Sequence, residues 1–116
     1  MIYTAMTDAE LFKERILMLL KLESSEENPI RSKEMQYRWN ISDLTVRQAV
    51  GLLRDDCNPI ASGPKGFFYA KTAKQLDSTI KDLNGRLKVI SKRCKKLQEA
   101  QERMRAGDDG QRLLDL

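Results

Sequence analysis

The stretch of the chain that decides its fold covers residues 41–70 and reads ISDLTVRQAVGLLRDDCNPIASGPKGFFYA. Its apolar residues Val46, Val50 and Leu53 recur at the spacing of one helical face, which predicts a helix with that face packed on a core. Ser42 comes just before this helix, where a serine hydroxyl can accept an unpaired backbone N–H as an N-cap. The segment therefore predicts a helix with one buried and one exposed face.

A short β-hairpin is expected directly after that helix. Pro59 cannot continue a helical hydrogen-bond ladder, so the helix must end before it. Residues 60–62 and 67–70 are short β-like runs, and GPKG at 63–66 supplies glycine and proline for a turn between them. A helix followed by a hairpin with Lys65 at its tip is the sequence outline of a winged helix-turn-helix.

Two further helices are predicted upstream. Thr7 and Glu10 form a capping-box pattern at the start of the first. The second is expected to begin at the N-cap Ser32 and to end at Asn40, which tolerates the left-handed conformation that closes a helix. The residues assigned to the inward faces of these helices are Leu11, Phe12, Arg15, Ile16, Leu19, Leu20, Leu22, Met35 and Trp39. Together these elements predict three helices and a hairpin.

Residues 8–70 resemble the winged-helix DNA-binding domains of bacterial repressors, especially the N-terminal domain of the biotin operon repressor and, in the third helix, DeoR-type regulators. The features that match are Ser42, Thr45, Val46, Arg47, Gln48, the Leu53-Arg54-Asp55 helix end and Lys65-Gly66-Phe67. Small phage-encoded winged-helix proteins, which often carry a long basic helix after the wing, look similar too. The chain departs from the family at Asp56-Cys57-Asn58, where glycine is usual. Either Asn58 supplies the left-handed turn there, or the wing leaves at a different angle.

The resemblance implies a set of contacts to double-stranded DNA. Arg47 and Gln48 would read base edges, because arginine suits guanine and glutamine suits adenine in bidentate geometry. Lys65 would touch the DNA backbone or minor groove from the wing tip. The residues expected to hold phosphates are Ser42, Thr45, Arg31 and Lys33. The alternative is a solvated helix face in which Asp43 pairs with Arg47 at i, i+4.

A second organised feature is a heptad repeat that follows residue 72. Its members alternate three and four residues apart, as in the seam of a coiled coil. They are Leu76, Ile80, Leu83, Leu87, Ile90, Cys94, Leu97, Gln101 and Met104. So narrow a stripe needs another helix of its kind, and we expect a homodimeric coiled coil. Packing on the first helix and pairing with another protein are the alternatives.

Two details of this segment bear on how it pairs. Asn84-Gly85 is a weak point where the helix could break, because glycine costs about 1 kcal/mol relative to alanine in a helix interior. The basic residues that flank the seam are Lys74, Lys81, Arg86, Lys88, Lys92, Arg93, Lys95 and Lys96. Like charges across a parallel pair repel, which favours an antiparallel arrangement or a polyanion lying alongside.

Composition narrows the function classes. The chain has no histidine and two distant cysteines, Cys57 and Cys94, so we expect no metal site, no cofactor and no enzymatic activity. No apolar run reaches 18 residues and no signal-peptide pattern is present, so we expect a cytoplasmic protein without membrane contact. The net charge of +4 is uneven: −3 over residues 1–30, +2 over 31–70, +7 over 71–105 and −2 over 106–116. The positive middle suits a polyanionic partner.

The sequence thus predicts a mainly α protein, with a winged helix over residues 1–71, a long basic coiled-coil helix over 72–105 and a flexible tail over 106–116. The expected function is double-stranded DNA binding by a small dimeric transcriptional regulator or replication-associated factor, of the kind that phages and plasmids encode. The alternative is a protein-interaction adaptor, with a host or phage protein as its partner, in which the coiled coil is the functional part and the winged helix does not bind DNA.

Overall fold

The structure is a computed structural model that describes residues 5–114, and the side chains of residues 5–108. Its elements in chain order are α1 (Asp8–Glu23), α2 (Ser32–Trp39), α3 (Asp43–Asp55), β1 (Ile60–Gly63), β2 (Gly66–Tyr69), a 3₁₀ helix (Ala73–Leu76) and α4 (Asp77–Leu114). The predicted class, mainly helical with a hairpin and a long C-terminal helix, is confirmed. The chain divides into two compact units, Met1–Thr79 and Ile80–Leu116.

The helix starts follow local side-chain chemistry. Thr7 Oγ1 accepts a hydrogen bond from the backbone N–H of Glu10 at 3.2 Å, and Ser42 Oγ accepts one from Thr45 N–H at 3.0 Å. Both predicted N-caps are therefore confirmed. The predicted cap of α2 is wrong by one residue, since Arg31 occupies the N-cap position and Ser32 is the first helical residue. The Ser32 hydroxyl does not cap α2 but donates to Asp43 of α3.

A residue in the left-handed conformation follows the C-terminal end of each of the helices α2 and α3. Asn40 closes α2 with a φ of 52°, as the sequence predicted. After α3 the left-handed residue is Cys57, with a φ of 66°, and not Asn58. Asn58 instead binds the helix end, since both its backbone N–H and its side-chain Nδ2 donate to the carbonyl of Leu53 at 3.0 Å. Cys57 is exposed at the surface.

The core of the first unit lies between α1, α2, α3 and β1. Its fully buried large side chains are Ile16, Leu20, Met35, Val46, Val50, Leu53 and Ile60. The predicted inward face of α3 is therefore confirmed. The prediction for α1 is partly wrong, because Leu11 and Leu22 are 54% and 75% exposed whereas Leu17 is buried. Trp39 is half-buried and its ring lies 6.1 Å from that of Phe12.

The antiparallel hairpin pairs Ile60 with Tyr69 and Gly63 with Gly66. Hydrogen bonds from one backbone segment and from one side chain join the β2 edge to the rest of the unit. The backbone of Ile30 exchanges two hydrogen bonds of 2.8 Å with Phe67. Ser24, which is buried, accepts from Tyr69 N–H at 2.9 Å and donates to a carbonyl at the end of α1. The hairpin is thus fixed to the segment that connects α1 with α2.

The β1 edge is covered from the other side. Arg54 at the end of α3 donates from Nε to the carbonyl of Ile60 at 3.0 Å and from Nη2 to Ser62 Oγ at 3.2 Å. The buried hydroxyl of Thr79, in the first turn of α4, accepts from Ser62 N–H at 3.0 Å and donates to its carbonyl. These bonds join the first turn of α4 to β1, and the first compact unit extends to Thr79.

Helix α4 differs from the prediction at both ends. Leu76, the first residue of the predicted seam, lies half-buried in the 3₁₀ helix and precedes α4. The helix then runs without a break through Asn84-Gly85 and past residue 105 to Leu114. The prediction that the helical pattern ends at residue 105 is therefore wrong for residues 106–114, where glycine weakens a helix but no proline ends it. Residues 115 and 116 lie outside the described part of the chain.

None of the helices in the described part of the chain is long and apolar enough to span a membrane.

Candidate nucleic-acid interface

The exposed face of α3 is the centre of the candidate site. Arg47 and Gln48 are both exposed on it, and the Arg47 side chain is 71% accessible. Leu44 lies one turn earlier and is 63% exposed, although leucine is normally buried. The opposite face of the same helix is closed into the core. α3 therefore presents a cation, an amide and an apolar side chain from a rigidly held helix.

A chain of polar contacts holds Arg47 and joins the two helices. Gln36 Nε2 donates to Ser32 Oγ at 3.0 Å, and Ser32 Oγ donates to Asp43 Oδ1 at 2.5 Å. The other carboxylate oxygen of Asp43 lies 2.8 Å from Arg47 Nε. The i, i+4 pair that the sequence raised as an alternative is therefore present. Because Nε faces Asp43, the two terminal nitrogens of the guanidinium remain for an outside acceptor.

The two hydroxyl residues at the start of α3 have different surroundings. Ser42 is exposed, and its Oγ lies 3.0 Å from Thr45 Oγ1. Thr45 is only 7% exposed, so it belongs to the packed start of the helix. The structure does not place Thr45 where a phosphate could reach its hydroxyl. Ser42 stays at the surface, but its oxygen already accepts the Thr45 N–H.

The predicted phosphate contacts of α2 lie together on one surface. Arg31 and Lys33 line an open depression of about 550 Å³ at the start of α2, which Pro29, Glu34 and Tyr37 complete. Tyr37 is 95% exposed, so its ring and hydroxyl are almost wholly in solvent. A tyrosine hydroxyl is among the groups that contact DNA phosphates. The depression thus combines two cations and a hydroxyl with one carboxylate.

Lys65 occupies the predicted position at the hairpin tip. It is exposed in the turn that joins β1 to β2, and Gly66 follows it with a φ of 128°. The backbone of Gly66 passes so close to Ile30 that a Cβ at this position would collide with the Ile30 carbonyl. The tip is therefore set by a glycine that packs on the α1–α2 connection. Lys65 projects from a turn that the rest of the unit holds in place.

The apolar seam of α4 is a second candidate surface. Its side chains are exposed in the single chain, from 44% for Leu83 to 71% for Leu97. The seam residues that α4 carries are Ile80, Leu83, Leu87, Ile90, Cys94, Leu97, Gln101 and Met104. An apolar stripe of this length in solvent is typical of an interaction surface. Leu76 is not part of it, because it lies before α4.

A third surface is apolar and lies on α1. Met18 and Leu22 are exposed there and line, with Trp39, an open groove of about 410 Å³. Arg15 and Arg38 stand at its margin together with Glu14 and Glu23. The sequence prediction assigned Leu22 to the core, and so missed this surface.

Sequence reasoning also missed four residues of the interface region. Ser32 donates to Asp43 and accepts from Gln36, and Leu44 and Tyr37 add exposed contact groups. A signal existed for Leu44 and Tyr37, because neither falls on the helical face that carries the buried residues of its own helix. No sequence signal identifies the Ser32–Asp43 hydrogen bond, because it joins two helices whose geometry is set by tertiary packing.

No family model and no curated protein matches this chain.

Proposed function

We propose that this protein binds double-stranded DNA through the exposed face of α3, as a small dimeric transcriptional regulator or replication-associated factor. The observation that carries the proposal is the pairing of Arg47 and Gln48 on the free face of a helix whose other face is buried. In a helix-turn-helix the second helix enters the major groove, and its N-terminal residues contact base edges. Arg47 and Gln48 lie in the N-terminal half of α3.

The order of elements supports a winged-helix reading of the first unit. α1 is followed by Ile30, which bridges to β2, and then by α2, α3 and the hairpin. α2 and α3 are joined by a three-residue connection that contains the left-handed Asn40. On this reading the hairpin is the wing, and Lys65 is the residue at its tip.

The polar contacts of Arg47 are compatible with base recognition. An exposed ion pair contributes at most about 1 kcal/mol, so the bond to Asp43 orients the arginine without withdrawing it. With Nε held by Asp43, the two terminal nitrogens can donate a pair of hydrogen bonds to O6 and N7 of guanine. Gln48 suits adenine in the same way, and Leu44 suits the methyl group of thymine.

The cations outside α3 suit phosphates. Arg31 and Lys33 lie at the start of α2, which in a helix-turn-helix crosses the DNA backbone. Lys65 would make a third such contact from the hairpin. A dimer with these three contacts in each copy neutralises about six phosphates, and the slope of log K against log salt should then be about −5.

The test is a salt series of fluorescence anisotropy with mixed-sequence duplex DNA. The wild type is compared with the triple variant Arg47→Ala, Gln48→Ala, Lys65→Ala, and with the control Lys13→Ala, Lys21→Ala, which removes two positive charges from α1. We expect the triple variant to lose at least tenfold in affinity and part of the salt slope, and the control to bind as the wild type does. Equal binding by the triple variant and the wild type would overturn the proposal.

The second candidate function is a protein-interaction adaptor, with a host or phage protein as the partner. The observation that favours it is the exposed apolar face of α1, where Leu11, Met18 and Leu22 are each more than half exposed. The variant Met18→Lys, Leu22→Lys separates the two functions. Loss of cellular function with unchanged DNA affinity would support the adaptor, whereas full function would remove the reason to consider it.

A further inference from the structure

We infer that α4 pairs with α4 of a second copy as a parallel, in-register, two-stranded coiled coil. The inference deepens the proposed function, because it rests on the dimer named there and specifies how its two chains are arranged. The apolar side chains of the seam are exposed along α4 from Ile80 to Met104. A second copy of the same helix offers a stripe of equal length and spacing, as the a and d positions of a heptad require.

The spacing assigns each residue a heptad position. The a positions are Ile80, Leu87, Cys94 and Gln101, and the d positions are Leu83, Ile90, Leu97 and Met104. The residues that flank the seam follow from these. The g positions are Arg86, Arg93 and Ala100, and the e positions are Asn84, Ser91, Gln98 and Arg105. Of the lysines in α4, Lys81, Lys88, Lys92, Lys95 and Lys96 all fall at the outer b, c and f positions.

Two strands are favoured over three or four by layers at both ends of the seam. Ile80 at a with Leu83 at d is the combination that favours two strands. Gln101 at an a position brings two amides together in one layer, which fixes register in the way that single buried polar residues do. The middle layer has the opposite preference, since Leu87 at a with Ile90 at d favours three or four strands. The ultracentrifugation described below therefore measures the number of strands directly.

The flanking charges then decide the direction. In a parallel pair each g residue faces the e residue five positions later in the other chain. Arg86 would face Ser91 of the second copy, and Arg93 would face Gln98. Both contacts join a cation to a neutral hydrogen-bonding side chain. The repulsion expected from the many basic residues does not arise, because the lysines point away from the partner.

In an antiparallel pair g residues face g residues. In the register that centres the seam, Arg86 lies opposite Arg93 of the second copy, and this contact occurs twice. A shift of one heptad either way brings Arg86 opposite Arg86 or Arg93 opposite Arg93. Every antiparallel register that keeps most of the seam therefore contains an arginine pair of like charge, which is unfavourable.

The direction of the coil determines where the two copies of the first unit are attached. In a parallel coil both chains enter at Ile80, so the two copies of the unit Met1–Thr79 are attached at the same end. An antiparallel coil would attach them at opposite ends. Two recognition helices that serve one two-fold DNA site must be close together, which attachment at the same end of the coil allows.

The test is a distance measured between spin labels in the full-length chain without DNA. Cys57→Ser and Cys94→Ala remove the native thiols, and Arg105→Cys carries the label at an e position that faces Ala100. Parallel helices lie about 10 Å apart, so the label-to-label distance should be below about 25 Å. In the antiparallel registers considered above, the two labels are offset along the coil axis by about 28 Å or more, at 1.5 Å per residue. The longer distance would overturn the inference.

A second measurement uses the dissociation constant of the dimer from analytical ultracentrifugation. Gln98→Glu places a carboxylate opposite Arg93 of the second copy only in the parallel pair, and should tighten the dimer about two- to fivefold. Gln98→Lys should weaken it by a similar factor. The inference would be overturned if Gln98→Glu and Gln98→Lys did not change the dissociation constant in opposite directions. A trimer or tetramer in the wild type would overturn it too. Neither measurement involves DNA, so failure here leaves the anisotropy test of the proposed function intact, and the reverse also holds.

Discussion

Gly66 shows how a single residue sets the position of the hairpin. It has a φ of 128°, a value that residues with a side chain rarely adopt, and its backbone touches that of Ile30. Any side chain at this position would have to displace the bridge between Ile30 and Phe67. The hairpin tip that carries Lys65 therefore depends on the absence of a Cβ one residue away.

We expect Gly66→Ala to lower the free energy of unfolding by about 1–3 kcal/mol through backbone strain alone, and by more once the collision with Ile30 is included. Gly63→Ala is the matched control, because a Cβ there would meet nothing within 4 Å. Urea denaturation followed by circular dichroism measures both. If the two variants proved equally stable, the close approach to Ile30 would not hold in solution.

Ser24 is the second residue on which the hairpin depends. Its buried hydroxyl is hydrogen-bonded to both α1 and Tyr69 N–H. We expect Ser24→Ala to cost about 1–3 kcal/mol, because the Tyr69 donor is left without this acceptor. Ser25→Ala removes an exposed loop hydrogen bond to Asn28 and should cost less. The same urea denaturation compares the two, and a larger loss for Ser25→Ala would contradict the role assigned to Ser24.

At the scale of elements, α4 continues across glycines at which the sequence suggests a break. Gly85 falls at an outer f position. A Cβ added there would meet no other part of the described chain within 4 Å. Its only cost is therefore the loss of helix propensity. The apolar seam passes this position on the other side of the helix.

We expect Gly85→Ala to stabilise α4 by about 0.5–1 kcal/mol, because alanine reduces the freedom of the unfolded chain and fits a helical backbone. Gly107→Ala, nearer the helix end, should give a smaller gain, since helix ends fray. Thermal denaturation at a fixed protein concentration measures both changes. A loss of stability for Gly85→Ala would show that the helix is not continuous there.

Much of α3 could be predicted from the sequence, because its signals are local. Val46, Val50 and Leu53 set the buried face, and Ser42 sets the start, without help from other elements. Thr45 could not be predicted in the same way, since its burial depends on how α3 meets its neighbours. The exposure of Leu22 likewise depends on which side of α1 the other helices cover.

The ends of the elements were harder to predict for the same reason. Thr79 extends the first unit beyond the hairpin through a hydrogen bond to Ser62, seventeen residues away. Cys57 takes a left-handed conformation that cysteine does not favour, because Asn58 is used to bind the carbonyl of Leu53. The sequence named the cations of the candidate site. It did not predict the hydrogen bond from Ser32 to Asp43, the residue that pairs with Arg47.

At the scale of the whole molecule, net charge does not account for the DNA binding that we propose for the first unit. Residues 1–79 carry eleven basic and eleven acidic side chains. In the proposed mode, attraction to DNA would come from where the cations lie, because Arg31, Lys33, Arg47 and Lys65 are all exposed on the candidate interface. For so balanced a unit, doubling the contacts by dimerisation matters more than adding charge.

We expect Leu87→Glu to raise the dissociation constant of the dimer at least about tenfold, because it places two carboxylates in one apolar layer. DNA affinity should fall by about tenfold or more with it, since a monomer makes half the contacts. Val89→Glu introduces the same charge at an exposed outer position and should change neither. Ultracentrifugation and anisotropy measure the two effects. Unchanged DNA affinity in a monomeric Leu87→Glu variant would show that one copy is sufficient.

The two-stranded hairpin has a consequence for how the protein behaves when it is concentrated. Exposed strand edges act as templates on which further strands add, and this is a common route to aggregation. Here Arg54 and Thr79 occupy the outer groups of β1, while Ile30 and Ser24 occupy outer groups of β2. Within residues 5–114 no other strand is present to offer an edge. Strand addition, which would continue into fibres, is therefore disfavoured at both edges of this hairpin.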